Sequence, residues 1–449
     1  MADLQMEAQR RIDAALQPVR SAVDRSLGPR LGGRPEPPVA EAAPDNPLSG
    51  GPTTLATIDV TVPFTGEVVR IPNLTAFSYS SDVLQVGDPF NVTVPDPRGL
   101  YLKKLLRGAK VVLSLSNPSV AGGGKIRKIT GRIIRRRVTC TPQGTVITLL
   151  GADLGWHLAH DDGPLWFGLQ SCTWDTLIKA CIHPDQIFPN TPDPGWGFAD
   201  DVGYDNLLNA HLKQGRQGIV LAQQANPIIP LARIQIEPGE KLFDLLALYA
   251  KRIGHLINVS ADGHLQIFVP NYSAEPSYSF YCYPTTDARN TKNNVEAQGI
   301  SVEEAIDELW TDITCVGEVP LPDLIDEQVA QDNINANKFR GRYEAFPPQL
   351  EFMHRLVFTD GEALDRNFAN ERAFWKAKMG LFNSHVVSFT VRGHDQNGLF
   401  FEADTMCHLD FPVVGIGPGN YYISQVRCDR GDSGDVTSIT AHLPDLLAA

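Results

Sequence analysis

No stretch of this chain approaches the roughly 20 consecutive apolar residues of a membrane helix, so the sequence predicts no membrane span. The opening residues, MADLQMEAQRR, hold no apolar run of the kind a secretory signal needs. Cysteine is scarce: seven in 449 residues, an odd number with no C-x-x-C spacing. That argues against a disulfide framework and for free buried thiols in a reducing compartment. Together these absences predict a soluble protein made in a cytoplasm. Positive charge is short too. The 39 Lys and Arg face 52 Asp and Glu, for a net charge of −13. General nucleic-acid binding rests on neutralising phosphates and fits such a chain poorly. Reaction signatures are also missing: no H-E-x-x-H, nucleophile elbow, phosphate loop or dinucleotide fingerprint.

What is present is mostly strand. At roughly 150 residues per domain the length predicts about three domains. Residues 1–27 have a helical stripe, Ile12, Leu16, Val19, Val23 and Leu27, which Pro18 should break into two short helices. A Pro/Gly/Ala-rich linker follows to residue 52. TIDVTVPF, EVVRI, LTAFSYS, FNVTV and KVVLSLS then alternate in twos, and residues 125–138 and 145–150 complete a compact strand domain. Residues 156–235 read as irregular apart from a helix at 174–182. Helix 240–253 carries Leu242, Leu245, Leu246, Tyr249 and Ile253 on one face. The turn Asp262-Gly263 joins strands 256–260 and 264–269 into a hairpin. A strand at 308–317, a polar loop and a helix at 360–379 lead to strands at 385–392, 399–402, 405–411, 420–427 and 436–442. LQVGDPFNVTV (84–94) and FFEADTMCHLDF (400–411) share a weak pattern, which suggests a duplicated domain. The expected fold is a β-rich α+β chain. It has two similar small β-barrels, mixed helix–hairpin modules between them and an N-terminal helical extension.

Two clusters are candidates for chemistry. WHLAHDDG offers His157, His160, Asp161 and Asp162 as metal ligands, but without a further cluster they read better as satisfied groups in a loop. His183 and Asp185 likewise read as structural. KIRKITGRIIRRR concentrates Lys125, Arg127, Lys128, Arg132, Arg135, Arg136 and Arg137 in an acidic protein. These residues form a solvated or salt-bridged face, or a patch that meets DNA or a partner's acidic surface. No aromatic residues interleave them, so stacking on single strands has no support.

The unit PGEKLFDLLALYAKRIG, the hairpin from Val259 to Ile267, Val316-Gly317 in DITCVGE, and the strands VVSFTVRGHDQNGLFFEADTMCHLDF and GNYYISQVRC occur in a telling order. In that order they resemble the Mu-like baseplate hub proteins of contractile-tailed phages. They are also similar to the N-terminal half of type VI secretion spike proteins. The likeness spans 55–449 and is strongest at 238–272 and 384–443. The resemblance implies a homotrimer with two barrel tube domains per subunit, a pseudo-six-fold ring joining a hexameric tail tube to a trimeric spike. It implies barrels at 53–155 and at 300–318 with 384–449, an outer module at 156–299 that includes the 238–272 unit, and a loop-and-helix module at 319–383. The chain stops directly after its last strand, so the spike is expected to be a separate polypeptide. Tape-measure or baseplate wedge proteins are candidate partners of the N-terminal helix. The expected location is the virion tail baseplate, assembled in the host bacterial cytoplasm, with nucleic acid only as cargo. No catalytic residue, cofactor or metal is expected. Two alternatives stay open: a metal-dependent hydrolase using His157 and His160, and a nucleic-acid-binding module centred on Arg132 and Arg135 to Arg137.

Overall fold

Alternating burial builds the first half of the molecule. In β1 (Leu55–Thr61), Ala56, Ile58 and Val60 point inward; in β4 (Pro89–Asp96), Phe90, Val92 and Val94 do; in β5 (Lys110–Ser116), Val111, Leu113 and Leu115 do. With β2 (Val68–Ile71), β3 (Ala76–Asp82), β6 (Ile126–Thr141) and β7 (Gly144–Asp153) they form an antiparallel module in the order β3-β4-β7-β6-β5-β1-β2. Ile71 of β2 and Phe77 of β3, at the two ends of that order, belong to one core cluster. Gly131 permits the tightest crossing, because a Cβ there would lie 2.0 Å from the Ala152 carbonyl oxygen.

The computed structural model describes residues 54–444 apart from 118–124, 143, 164–167, 170–173, 189–190, 192–193, 197, 199–233, 236–238, 253–255, 269, 271, 273, 318–339, 345–349, 361–365 and 432–433. The expected N-terminal helix, with Ile12, Leu16, Val19, Val23 and Leu27, and the linker to residue 52 lie outside the described residues.

Between the strand modules sit α1 (Gly155–His160), the short pair β8 (Gly168–Leu169) and β9 (Ile234–Gln235), α2 (Trp174–Ile182), α3 (Pro184–Ile187) and α4 (Leu242–Arg252). β10 (Leu256–Val259) and β11 (Leu265–Phe268) follow as the expected hairpin, and Gly263 takes φ +89° at its turn. Leu242, Leu245 and Leu246 of α4 bury against Leu158, Leu177, Ile178, Ile257 and Leu265. The 238–272 unit is thus largely a packing unit.

The C-terminal module contains β12 (Tyr278–Tyr281), β13 (Ser301–Glu304), β17 (His385–Arg392), β20 (Thr405–Phe411), β21 (Ile416–Gly431) and β22 (Gly434–His442). Its order is β13-β17-β22-β21-β20-β12, and β18 (Asp395–Gln396) pairs with β19 (Leu399–Phe400) beside it. A separate sheet, β15 (Arg340–Glu344), β14 (Asp312–Gly317) and β16 (Arg355–Asp360), packs Ile313 and Cys315 onto Ala369, Ala373 and Ala377 of α5 (Arg366–Ser384). The stretch 300–318 is therefore divided: β13 joins the large sheet and β14 the small one.

Several expectations need correction. The closed barrels are not found among the described residues: β2 and β13 end an open thirteen-stranded sheet that runs through both modules. WHLAHDDG is not simply a loop, since its first half is α1. The helix expected at 360–379 occupies Arg366–Ser384. Gly380 does not stop it, because the bare glycine packs on the Glu308 carbonyl, 2.0 Å from where a Cβ would sit. β12, β13, β15 and β16 are short strands that the sequence pattern missed.

A repeat of strand order is present, but not where the sequence pattern puts it. β3, β4, β5, β6 and β7 correspond to β13, β17, β20, β21 and β22 in both chain order and pairing order. β6 and β21 each run sixteen residues and each carries a bulge against its return strand, at Ile133/Arg135 and Ile423/Gln425. The sequence match had set β4 against β20; the pairing sets β4 against β17, and β5 against β20.

Candidate functional site

β21 changes partner half-way along one edge. Ile416 to Ile423 pairs with β20, and Gln425 to Arg430 pairs with β3 of the first module. The change falls at Ser424, the extra residue of the bulge against β22. A bulge bends a strand and increases its twist, which lets one strand serve both modules. Ser424 is buried there; its carbonyl accepts from the Val83 N–H at 3.0 Å and its hydroxyl pairs with His442 Nε2 at 2.8 Å.

Side chains lock this joint. Arg430 donates to both oxygens of Asp435 at 2.5 and 2.6 Å, and to the Leu74 and Thr54 carbonyls of the first module. Lys128 of β6 pairs with Glu402 at 2.9 Å, Asn117 donates to Asp395 at 3.0 Å, and Gln425 to Asp82 at 3.2 Å. The Cys428 thiol donates to the Tyr79 hydroxyl at 3.3 Å; burial pushes that thiol's pKa up, so it stays a thiol. Each of these bonds crosses from one module to the other or braces the strand that does.

The basic stretch divides along its length. Lys125 pairs with Asp59 at 2.7 Å and Arg127 with Asp262 at 3.0 Å. Lys128 is almost wholly buried in the joint. Arg132 donates to the Gly108, Gly195 and Trp196 carbonyls, and burial lowers its pKa. Beyond the bulge the picture changes. Arg135 and Arg137 are exposed and pair with no acidic side chain among the described residues. Arg136 donates one N–H to the Leu102 carbonyl at 2.7 Å, while its Nε has no partner among the described residues.

The histidines are used for packing. The His157 ring stacks on Trp196 and its Nδ1 pairs with Asp161 at 3.0 Å; the His160 ring stacks on Trp156 and its Nδ1 meets the Trp156 carbonyl at 3.0 Å. Asp162 pairs with Lys241. His183 is buried at the start of α3 and Asp185 is exposed. Among the described residues, no group of three or more His, Cys, Asp or Glu side chains could hold a metal ion.

Beside the joint lies a cavity of about 240 Å³, lined by β3, β6, the β10–β11 turn and residues 401–404. Sequence reasoning missed its two buried carboxyls, Asp88 and Asp153. Burial raises Asp153 to about 7, opposed by the Gly155 N–H that its Oδ1 accepts at 2.8 Å. Burial, then the charge of Asp153, raises Asp88 well above the usual carboxylate range. Like charges in one dry site favour sharing a proton.

No family model matches this chain, and no curated protein matches it. Solved structures do. The 43 kDa tail protein of prophage MuSo2 from Shewanella oneidensis aligns over 88% of this chain and 99% of its own, with 16% identity and a TM-score of 0.60. The tail protein from Neisseria meningitidis MC58 aligns over 87% of this chain and 96% of its own, with 17% identity and a TM-score of 0.58. The chain has the fold of these tail proteins. The resemblance seen in the sequence therefore holds at the level of the fold, nearly end to end in the two relatives. In this chain the β21–β3 joint carries one sheet from the first module into the second.

Proposed function

We propose that this chain is a structural, non-catalytic hub of a contractile phage tail or a related injection particle. Three copies form a ring in the virion baseplate. Two equivalent strand modules per chain then offer six near-equivalent faces, so a hexameric tail tube can sit on a three-fold spike. The observation that carries this reading is the continuous sheet through two modules of matching strand order. The tail-protein fold supports it. So does the spending of Lys128 and Arg132 on internal bonds, which leaves a general nucleic-acid interface little to work with. The proposed partners are the tail tube protein and a separate central spike, with tape-measure or wedge proteins for residues 1–52; nucleic acid passes only as cargo. The test is the mass of the purified full chain by light scattering, alone and with tube and spike proteins, followed by imaging of the particle. A trimer, with rings of six-lobed outline, is expected. A monomer that ignores both partners would end the proposal.

A further inference from the structure

The two halves of the duplication differ in one edge. In the C-terminal module the second half of β21 is covered by β3. In the first module the second half of β6 is bare: its pairing with β5 stops at Arg132, and beyond Ile133 its outer edge meets no strand among the described residues. An open edge is a template for pairing. At the other end of the sheet, β13 is the counterpart of β3. It too has an open edge, with Glu303 exposed and unpaired among the described residues.

The register of the missing joint can be read from the one that exists. Setting the tip Thr141–Gly144 on the tip Gly431–Gly434 places Ile134 on the bulge residue Ser424, Arg136 on Val426, Arg137 on Arg427 and Val138 on Cys428. Leu150 then falls on Thr440; these pair with Asn91 and Ser388, which in turn pair with Ser78 and Ser301. So Ser301 stands on Ser78, Val302 on Tyr79, Glu303 on Ser80 and Glu304 on Ser81. Within the chain Tyr79 faces Cys428, Ser80 faces Arg427 and Ser81 faces Val426. Transferred, Val302 faces Val138, Glu303 faces Arg137 and Glu304 faces Arg136.

We propose that the Arg135–Cys140 edge of β6 in one copy pairs with β13 of a second copy, in the register of the β21–β3 joint. This rests on the trimeric reading above and names its interface. The partner is fixed by charge: Arg136 and Arg137 meet Glu304 and Glu303, with the exposed Arg135 beside them, and none of these five residues is used in the joint inside the chain. Opposite charges directly across a strand pair stabilise it, and the register puts two such pairs face to face. Glu304 is held by His385 at 3.2 Å in the isolated chain and is positioned for sharing. A head-to-tail contact of this kind closes into a ring when the rotation permits, and two modules per chain repeat it at three joints.

The test uses the full chain with Cys140→Ser, which removes the thiol exposed among the described residues, and with Cys172→Ser, which lies outside them. Val138→Cys combined with Val302→Cys should give covalent trimers on mild oxidation, and neither change alone should. In parallel, Arg137→Glu and Glu303→Arg should each weaken assembly by about tenfold or more in sedimentation, and their combination should restore it. Trimers that form with no cross-link, or that ignore both charge reversals, would overturn this joint and leave the hub reading intact. A chain that stays monomeric throughout, with or without its spike, would overturn both.

Discussion

The two strand modules share an order of strands but treat their edges differently. Past β5 the first module adds the antiparallel hairpin β1–β2; past β20 the second adds one parallel strand, β12, borrowed from mid-chain. The β21 edge beyond the bulge is neutralised by Asp429 beside Arg427 and covered by β3, whereas the same edge of β6 leaves Arg135 and Arg137 exposed. Their buried ionisable groups differ as well. The first module buries the carboxyls Asp88 and Asp153; the second buries His394 and His442, which burial lowers to about 4. The lesson is that two modules can share a strand order and pleated frame while differing in their edges and buried polar groups.

That comparison can be broken. Arg430 has no counterpart, since Cys140 occupies its place in β6. Arg430→Ala strands Asp435 and two carbonyls, and should cost about 3–5 kcal/mol in chemical denaturation. A cost below about 1 kcal/mol would show that the joint does not depend on it. Leu113 and Leu409 are equivalent fully buried positions. Each Leu→Ala change should cost about 2–5 kcal/mol, and a large inequality would mean that the modules pack differently.

The pH responses should run in opposite directions. Asp88 and Asp153 have folded pKa values above their unfolded ones, so the native state holds extra protons between about pH 4 and 7 and the first module weakens as pH rises through that window. His394 and His442 have folded values below their unfolded ones, so the second module is fully stabilised above about pH 6.5 and weakens as pH falls towards 4. Hydrogen exchange by module, corrected for intrinsic rates, should show this crossover, and Asp153→Asn should shrink the first module's loss at rising pH without removing it, because burial still raises Asp88. The smallest effect is expected at Arg137. Arg137→Glu should change the stability of the monomer by less than about 0.5 kcal/mol, because its side chain is exposed and unpaired among the described residues.

Much of the frame was legible from residue patterns. The alternation in KVVLSLS and FNVTV located β5 and β4, and the apolar face with Asp262-Gly263 located α4 and its hairpin. Those signals are local: they depend on period and on turn geometry. β12 and β13 were missed because four residues carry too little pattern to stand out, and their partners lie far along the chain. The basic stretch was visible, but its division was not. Nothing in KIRKITGRIIRRR says that Lys128 meets Glu402 or that Arg132 is roofed by carbonyls, while Arg137 is left open.

By itself, the sequence determined where strands, turns and the packing helix form, because those follow from side-chain period and backbone preference within a few residues. Only the tertiary structure decided which strands are neighbours, that one bulge at Ser424 joins two modules, and which edges remain bare. The pairings that join distant segments, β21 with β3 and β12 with β20, link residues more than a hundred positions apart, and no local pattern encodes them.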